Sequence, residues 1–146
     1  MLDHDGIAAL IPHQGRMCLL ERLLGWDAAR IHCRATSHTA ADNPLRSASG
    51  LLASAAIEYA AQAAALHGGL LAQAAGAGAA PGYLASARGV QFQRLRLDDL
   101  PGALDIEAER QAGDAQQLLY AFSVSHAGQL IVAGRLAVVL NTPLPA

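Results

Sequence analysis

Apolar and polar positions change rhythm once along this chain, at the small-residue stretch Gly76–Pro81. Before it, Leu51–Leu66 reads Leu-Leu-Ala-Ser-Ala-Ala-Ile-Glu-Tyr-Ala-Ala-Gln-Ala-Ala-Ala-Leu, a long, nearly unbroken apolar run that predicts one helix. Ser47 or Ser49 is placed to cap it and Gly68-Gly69 to stop it, with Leu70–Ala75 adding a turn or two. Beyond Pro81 the pattern becomes that of strands. Ala103–Arg110 sets Leu104, Ile106 and Ala108 against Asp105, Glu107 and Glu109, a half-buried strand. Gln117–Ser125 alternates in the same way, and Leu130–Leu140 is a final apolar strand. Gly82–Leu97 carries Val90, Phe92 and Leu95 among polar residues. Asp98–Gly102, Gln111–Asp114 and Ala127–Gln129 supply the turns between them.

Upstream of the helix, Met1–Leu10 reads as a short helical or extended lead-in ended by Ile11-Pro12. Met17–Leu24 and Ala28–Ser37 form a hairpin about Gly25-Trp26-Asp27, although Leu19–Leu24 fits a helix equally well by periodicity alone. His38–Ser49 is a loop with turn chemistry at Asp42-Asn43-Pro44, and Gly76–Pro81 a mobile surface loop. Two strands, a long helix and four antiparallel strands make an α+β domain over 1–146, with an antiparallel sheet wrapped around one central helix. That architecture is the hot-dog fold, and the strand order does not follow from these patterns.

Composition narrows the classes. At 146 residues the chain is sized for one domain with a real core. The net charge is −2 and no basic cluster appears, against a nucleic-acid surface that would have to release phosphate counterions. Cys18 and Cys33 form no metal-type pair, so they read as buried free thiols, with no metal and no cofactor implied. No charged-then-apolar leader opens the chain, and the alanine-rich helix is a poor membrane span. A cytoplasmic protein is the expectation.

Glu58 is the candidate for chemistry. It is the only charged residue between Arg46 and Arg88, and an apolar helix is an expensive place for a carboxylate. Burial is expected to raise its pKa towards neutrality, as a proton donor requires. Ser54 and Gln62 lie one turn to either side, on the same helix face. Arg46, the last charge before the helix, is a candidate partner for Glu58 or Asp42. His67 reads as a C-terminal helix residue favoured by the dipole, while His126 and His4 read as solvated.

Three segments in order resemble one family. Ile11-Pro12-His13-Gln14-Gly15-Arg16-Met17-Cys18-Leu19-Leu20-Glu21-Arg22-Leu23 is similar to the entry motif of beta-hydroxyacyl-acyl-carrier-protein dehydratases. Glu58-Tyr59-Ala60-Ala61-Gln62 resembles the E-x-x-A-Q of their central helix. Val90-Gln91-Phe92-Gln93-Arg94, with Asp99-Leu100-Pro101-Gly102-Ala103-Leu104, resembles their following hairpin. The wording Asn43-Pro44-Leu45-Arg46 and Ile57–Gln62 is closer to a subgroup associated with aryl-polyene pigment clusters.

The resemblance implies elimination of water from a 3-hydroxyacyl thioester on an acidic acyl carrier protein. It assigns Glu58 to the hydroxyl as acid and a pre-helix histidine, here His38, to the proton alpha to the carbonyl. Gly50 would mark the backbone N–H groups that hold the thioester oxygen, at a helix N-terminus that favours negative charge. Ser54, Gln62 and His13 complete the substrate site, and Arg16, Arg46, Arg88, Arg94 and Arg96 are candidates for docking the carrier. The family pairs its histidine and carboxylate across a dimer, so a homodimer or a heterodimer with another hot-dog subunit is implied. Fourteen positions before Glu58, where the family has its histidine, stands Pro44, so His38 fills that role only through a remodelled loop. Two other readings stay open: an acyl thioesterase in which Glu58 activates water, and a non-catalytic subunit that lends half a site to an active partner.

Overall fold

The computed structural model describes residues 2–76, 82–114 and 116–140. Helix α1 (His4–Ala8) is capped by Asp3, whose carboxylate accepts from the Gly6 N–H. Strands β1 (Arg22–Trp26) and β2 (Arg30–Ala35) form the expected hairpin. Helix α2 (Ala56–Ala74) follows, then β3 (Gly82–Phe92), β4 (Leu104–Gly113), β5 (Gln117–His126) and β6 (Gln129–Leu140). All pairings are antiparallel in one six-stranded sheet of order β1-β2-β4-β5-β6-β3. The hot-dog arrangement is therefore present, with β3 crossing to the far edge beside β6.

Alternation decides which face each strand buries. Ile31, Cys33 and Ala35 of β2, Leu104, Ile106 and Ala108 of β4, and Tyr120, Phe122 and Val124 of β5 point inward and are buried. They meet the alanines of α2, Ala56, Ala60, Ala63 and Ala64, whose small side chains let helix and sheet approach closely. The outer face carries Arg30, His32 and Arg34 level with Glu109, Glu107 and Asp105. Arg34 and His32 both reach Asp105, at 3.2 and 2.9 Å.

Local differences from the sequence reading have physical causes. The helix does not begin at Leu51 under a serine cap: a 3-10 turn, Ala53–Ala55, precedes α2, and Ala55 caps it without a side chain. Ser47 instead binds inside its own loop, to Gly50 O and Ser49 N. Nor do Gly68-Gly69 stop the helix, which runs on to Ala74. Gly69 serves packing there, because a Cβ at that position would lie 2.9 Å from the Leu10 carbonyl oxygen. The segment 15–21 is not strand but a 3-10 turn, Gly15–Met17, and an irregular strap leading to β1. Of the stretch Gly76–Pro81, residues 77–81 lie outside the described residues. Cys18 and Cys33 are free and buried, and burial pushes the Cys33 thiol up to about 12. No helix among the described residues is long and apolar enough to cross a membrane.

Candidate active site

Glu58 sits in the first turn of α2 and is not sealed in the core: its side chain keeps 28% exposure. The strap between α1 and β1 passes over it and brings His13, with Nε2 3.1 Å from Glu58 Oε1. Gln62, one helical turn on, donates to the same oxygen at 3.2 Å. Oε1 is thus taken twice.

Gln62 also builds the strap. It is fully buried, accepts the Leu19 N–H on Oε1 at 2.8 Å, and donates to Met17 O at 2.7 Å. The Leu19 N–H must meet an oxygen, so the amide orientation is fixed and its nitrogen faces Glu58. Gln14 secures the upstream end, donating to Ala8 O and Ile11 O.

These contacts reverse the expected titration. The hydrogen bond from His13, aided by that from Gln62, outweighs desolvation and holds the Glu58 carboxyl below the usual glutamate range. The resting group is a carboxylate and not, as its apolar helix implied, a neutral acid. His13 donates through Nε2–H, and its Nδ1 is buried without a partner.

His38 stands elsewhere. It is fully buried on the 3-10 turn Ser37–Thr39, and its Nε2 donates to Leu100 O at 2.8 Å. Burial lowers its pKa, its Nδ1 is also unpartnered, and no hydrogen bond joins it to Glu58 among the described residues. The structure pairs Glu58 with His13, not with the pre-helix histidine. The sequence offered both, and choosing between them required the path of the strap, a tertiary matter.

Gly50 is likewise committed to packing. It adopts φ +97°, and a Cβ there would strike Arg96 and Asp98. Its N–H donates to Ser47 O, that of Leu51 to Asp98 Oδ1 at 3.1 Å, and that of Ala53 to Leu95 O. These three donors are not open to a thioester oxygen in this chain. Asp98 stays ionised to low pH because Arg96 binds it, and Arg46 lies 3.7 Å from it, pairing with neither Glu58 nor Asp42. Ser54 is exposed on the 3-10 turn, and no protein group engages its hydroxyl among the described residues.

The other histidines are tied into the framework. His67 is fully buried in α2, donating through Nε2 to Asp27 O at 2.8 Å and accepting the Tyr120 hydroxyl on Nδ1 at 2.7 Å. His126 binds Pro101 O and His4 binds Cys18 O. Two grooves of about 480 and 460 Å³ open on the outer sheet face at Trp26 and beside Cys18, and neither is lined by Glu58 or His13. The pair lies at the surface, beside the half-exposed Ile57, Ala65 and Gly68 of α2.

Comparison with known proteins is consistent with this frame. The family model described as "ApeP-like: ApeP dehydratase" matches residues 6–144. No curated protein sequence matches the chain. Among solved structures, the dehydratase heterocomplex ApeI:P from Xenorhabdus doucetiae is similar at TM-score 0.85 and 25% identity, over 97% of this chain and 93% of that one. An HP0420 homologue from Helicobacter felis matches at TM-score 0.65 and 12% identity, over 99% and 96%. A hypothetical thioesterase with coenzyme A from Streptococcus pneumoniae TIGR4 matches at 0.59 and 10%, over 85% and 88%. The last two show the fold alone.

Proposed function

The chain belongs to the ApeP-like dehydratase family, and we propose that within it Glu58, held by His13 and Gln62, is the group that moves the proton during loss of water from a 3-hydroxyacyl thioester. The observation that carries this reading is the 3.1 Å contact between His13 Nε2 and Glu58 Oε1. Elimination needs a proton taken from the carbon alpha to the carbonyl and a proton given to the departing hydroxyl. As a carboxylate, Glu58 takes the alpha proton on its free Oε2. The resulting carboxylic acid returns it to the hydroxyl, which leaves as water while the electron pair of the C–H bond becomes the new double bond. His13 acts by donating to Oε1, stabilising the anion between turnovers.

Carbonyl binding falls to donors other than the N–H groups of Gly50, Leu51 and Ala53. A second hot-dog subunit is their proposed source. Strand β3 leaves one edge of the sheet unpaired, and the α2 side bearing Ile57, Ala65 and Gly68 is half-exposed. The similar Xenorhabdus doucetiae structure is itself a heterocomplex of dehydratases. We assign the substrate to an acyl carrier protein, delivered to the open side of Glu58.

The test is a mass assay of a 3-hydroxyacyl carrier substrate with the protein alone and with a second hot-dog dehydratase subunit. Loss of one water from the protein alone supports the reading, whereas loss only after mixing would make the chain a non-catalytic subunit that lends half a site to an active partner. Release of the free acid would instead make the protein a thioesterase.

A further inference from the structure

A continuous hydrogen-bonded path crosses the interior from the pre-helix loop to Glu58. Asn43 Nδ2 donates to the Tyr59 hydroxyl at 3.0 Å and to Ser37 O at 2.9 Å, and its Oδ1 accepts the Leu45 N–H, which fixes the amide orientation. Ser37 gives its only hydroxyl proton to Leu19 O at 2.8 Å. Across the 2.7 Å between Ser37 Oγ and the Tyr59 hydroxyl, the tyrosine is therefore the donor. Leu19 N–H in turn donates to Gln62 Oε1, and Gln62 Nε2 donates to Glu58 Oε1. The Leu19 residue is held at both its N–H and its C=O, from Gln62 on one side and from Tyr59 through Ser37 on the other.

We infer that Tyr59 is a positioning residue for the Glu58–His13 pair: its hydroxyl, through Ser37, fixes the Leu19 end of the strap that lays His13 on Glu58. Core packing of Ile11, Cys18, Leu19 and Leu20 and the His4 contact to Cys18 O seat the strap, and polar anchors set its register over α2. Between α1 and β1 it holds one 3-10 turn, and its anchors are Gln14, Gln62 and Ser37. Tyr59 has the rigidity for this role. It is fully buried, adjacent in sequence to Glu58, and its hydroxyl is used once as donor and once as acceptor. Small displacements matter here, because misplacing a reacting group by about 1 Å costs on the order of a hundredfold in rate.

This inference rests on Glu58 and His13 being the working pair, and the experiment separates the two. Glutamate side-chain carboxyls would be titrated by ¹³C NMR, with Glu58→Gln identifying the resonance, beside kcat and KM. Tyr120→Phe serves as the control, since it also removes one buried hydroxyl, from His67. Expected are a wild-type Glu58 midpoint below that of ordinary glutamates, an upward shift in Tyr59→Phe with kcat lowered about tenfold to a hundredfold, and no shift in Tyr120→Phe. Ser37→Ala, which cuts the same link with a smaller change, is expected to repeat the Tyr59→Phe shift and stands in for it if that variant does not fold. A midpoint unchanged from wild type in Tyr59→Phe or Ser37→Ala, with only thermal stability reduced, would overturn the positioning role and leave the pair standing. An undepressed wild-type midpoint would overturn the pair itself, and the positioning role with it.

Discussion

His13 Nε2 lies 3.1 Å from Glu58 Oε1, so the entry strap and the central helix meet at this pair. Two consequences follow from the contact. It holds the Glu58 carboxyl below the usual glutamate range, and together with Gln62 it occupies Oε1.

Replacing Glu58 by Gln removes the proton-transfer group while keeping its size. Gln62 retains Met17 O and the Leu19 N–H, so the strap stays anchored. The expected outcome is a drop in kcat of about 10²–10⁴-fold with an unchanged fold. Steady-state turnover beside circular dichroism checks it, and full turnover in the variant would remove Glu58 from the mechanism.

The pH profile carries a sign. The folded-state pKa of Glu58 is depressed by His13, so the active carboxylate persists to lower pH than an ordinary glutamate allows. Its contribution to stability is likewise present above the unfolded-state pKa and is lost as pH falls through the folded one. His13→Ala removes the larger cause. The acid limb of kcat/KM is expected to move to higher pH, and an unmoved limb would show that the 3.1 Å contact does not tune the carboxyl.

Much of this was readable before the fold was known, and the boundary is physical. Strands β4 and β5 followed from alternation because each buries one face, β6 from its apolar run, and Glu58 stood out because an apolar helix isolates a charge. Gln62 was found by helical spacing together with the E-x-x-A-Q resemblance. His38 was read from its position along the loop, and the His13–Glu58 contact was not legible because the strap crosses α2 through side-chain anchors with no periodic signature. The direction of the Glu58 shift went the same way: burial was inferred from composition, and the two donors that outweigh it are tertiary. Gly50 was read through the resemblance as marking the N–H groups for the thioester oxygen, and only the structure shows its crowding by Asp98 and Arg96.

Two buried histidines set the acid stability. Burial lowers the pKa of both His38 and His67, so the unfolded chain binds protons that the folded one refuses. Stability therefore falls as pH drops from the ordinary histidine value towards the folded-state values, and levels off below them. Protonating His67 also breaks the bond it accepts from Tyr120. Melting curves between about pH 7.5 and 5 should show a falling midpoint, with the slope reduced in His67→Gln. An equal slope in that variant would place the sensitivity elsewhere.

The glycines of α2 give a paired test of packing. Gly68 has open space where a side chain would stand, whereas a Cβ on Gly69 would sit 2.9 Å from the Leu10 carbonyl oxygen. Alanine at an unobstructed mid-helix position gains about 1 kcal/mol over glycine, because less backbone entropy is lost on folding. Gly68→Ala should therefore raise the melting midpoint of the isolated chain. Gly69→Ala gains the same helix term but must push Leu10 away from the helix, an overpacking cost of about 1–3 kcal/mol. Its midpoint should fall or at best stay level. The difference is largest if the backbone before Ile11-Pro12 cannot give, and denaturant unfolding of both variants measures it directly. Equal stabilisation by the two alanines would mean that the lead-in segment does not rest on α2 as described.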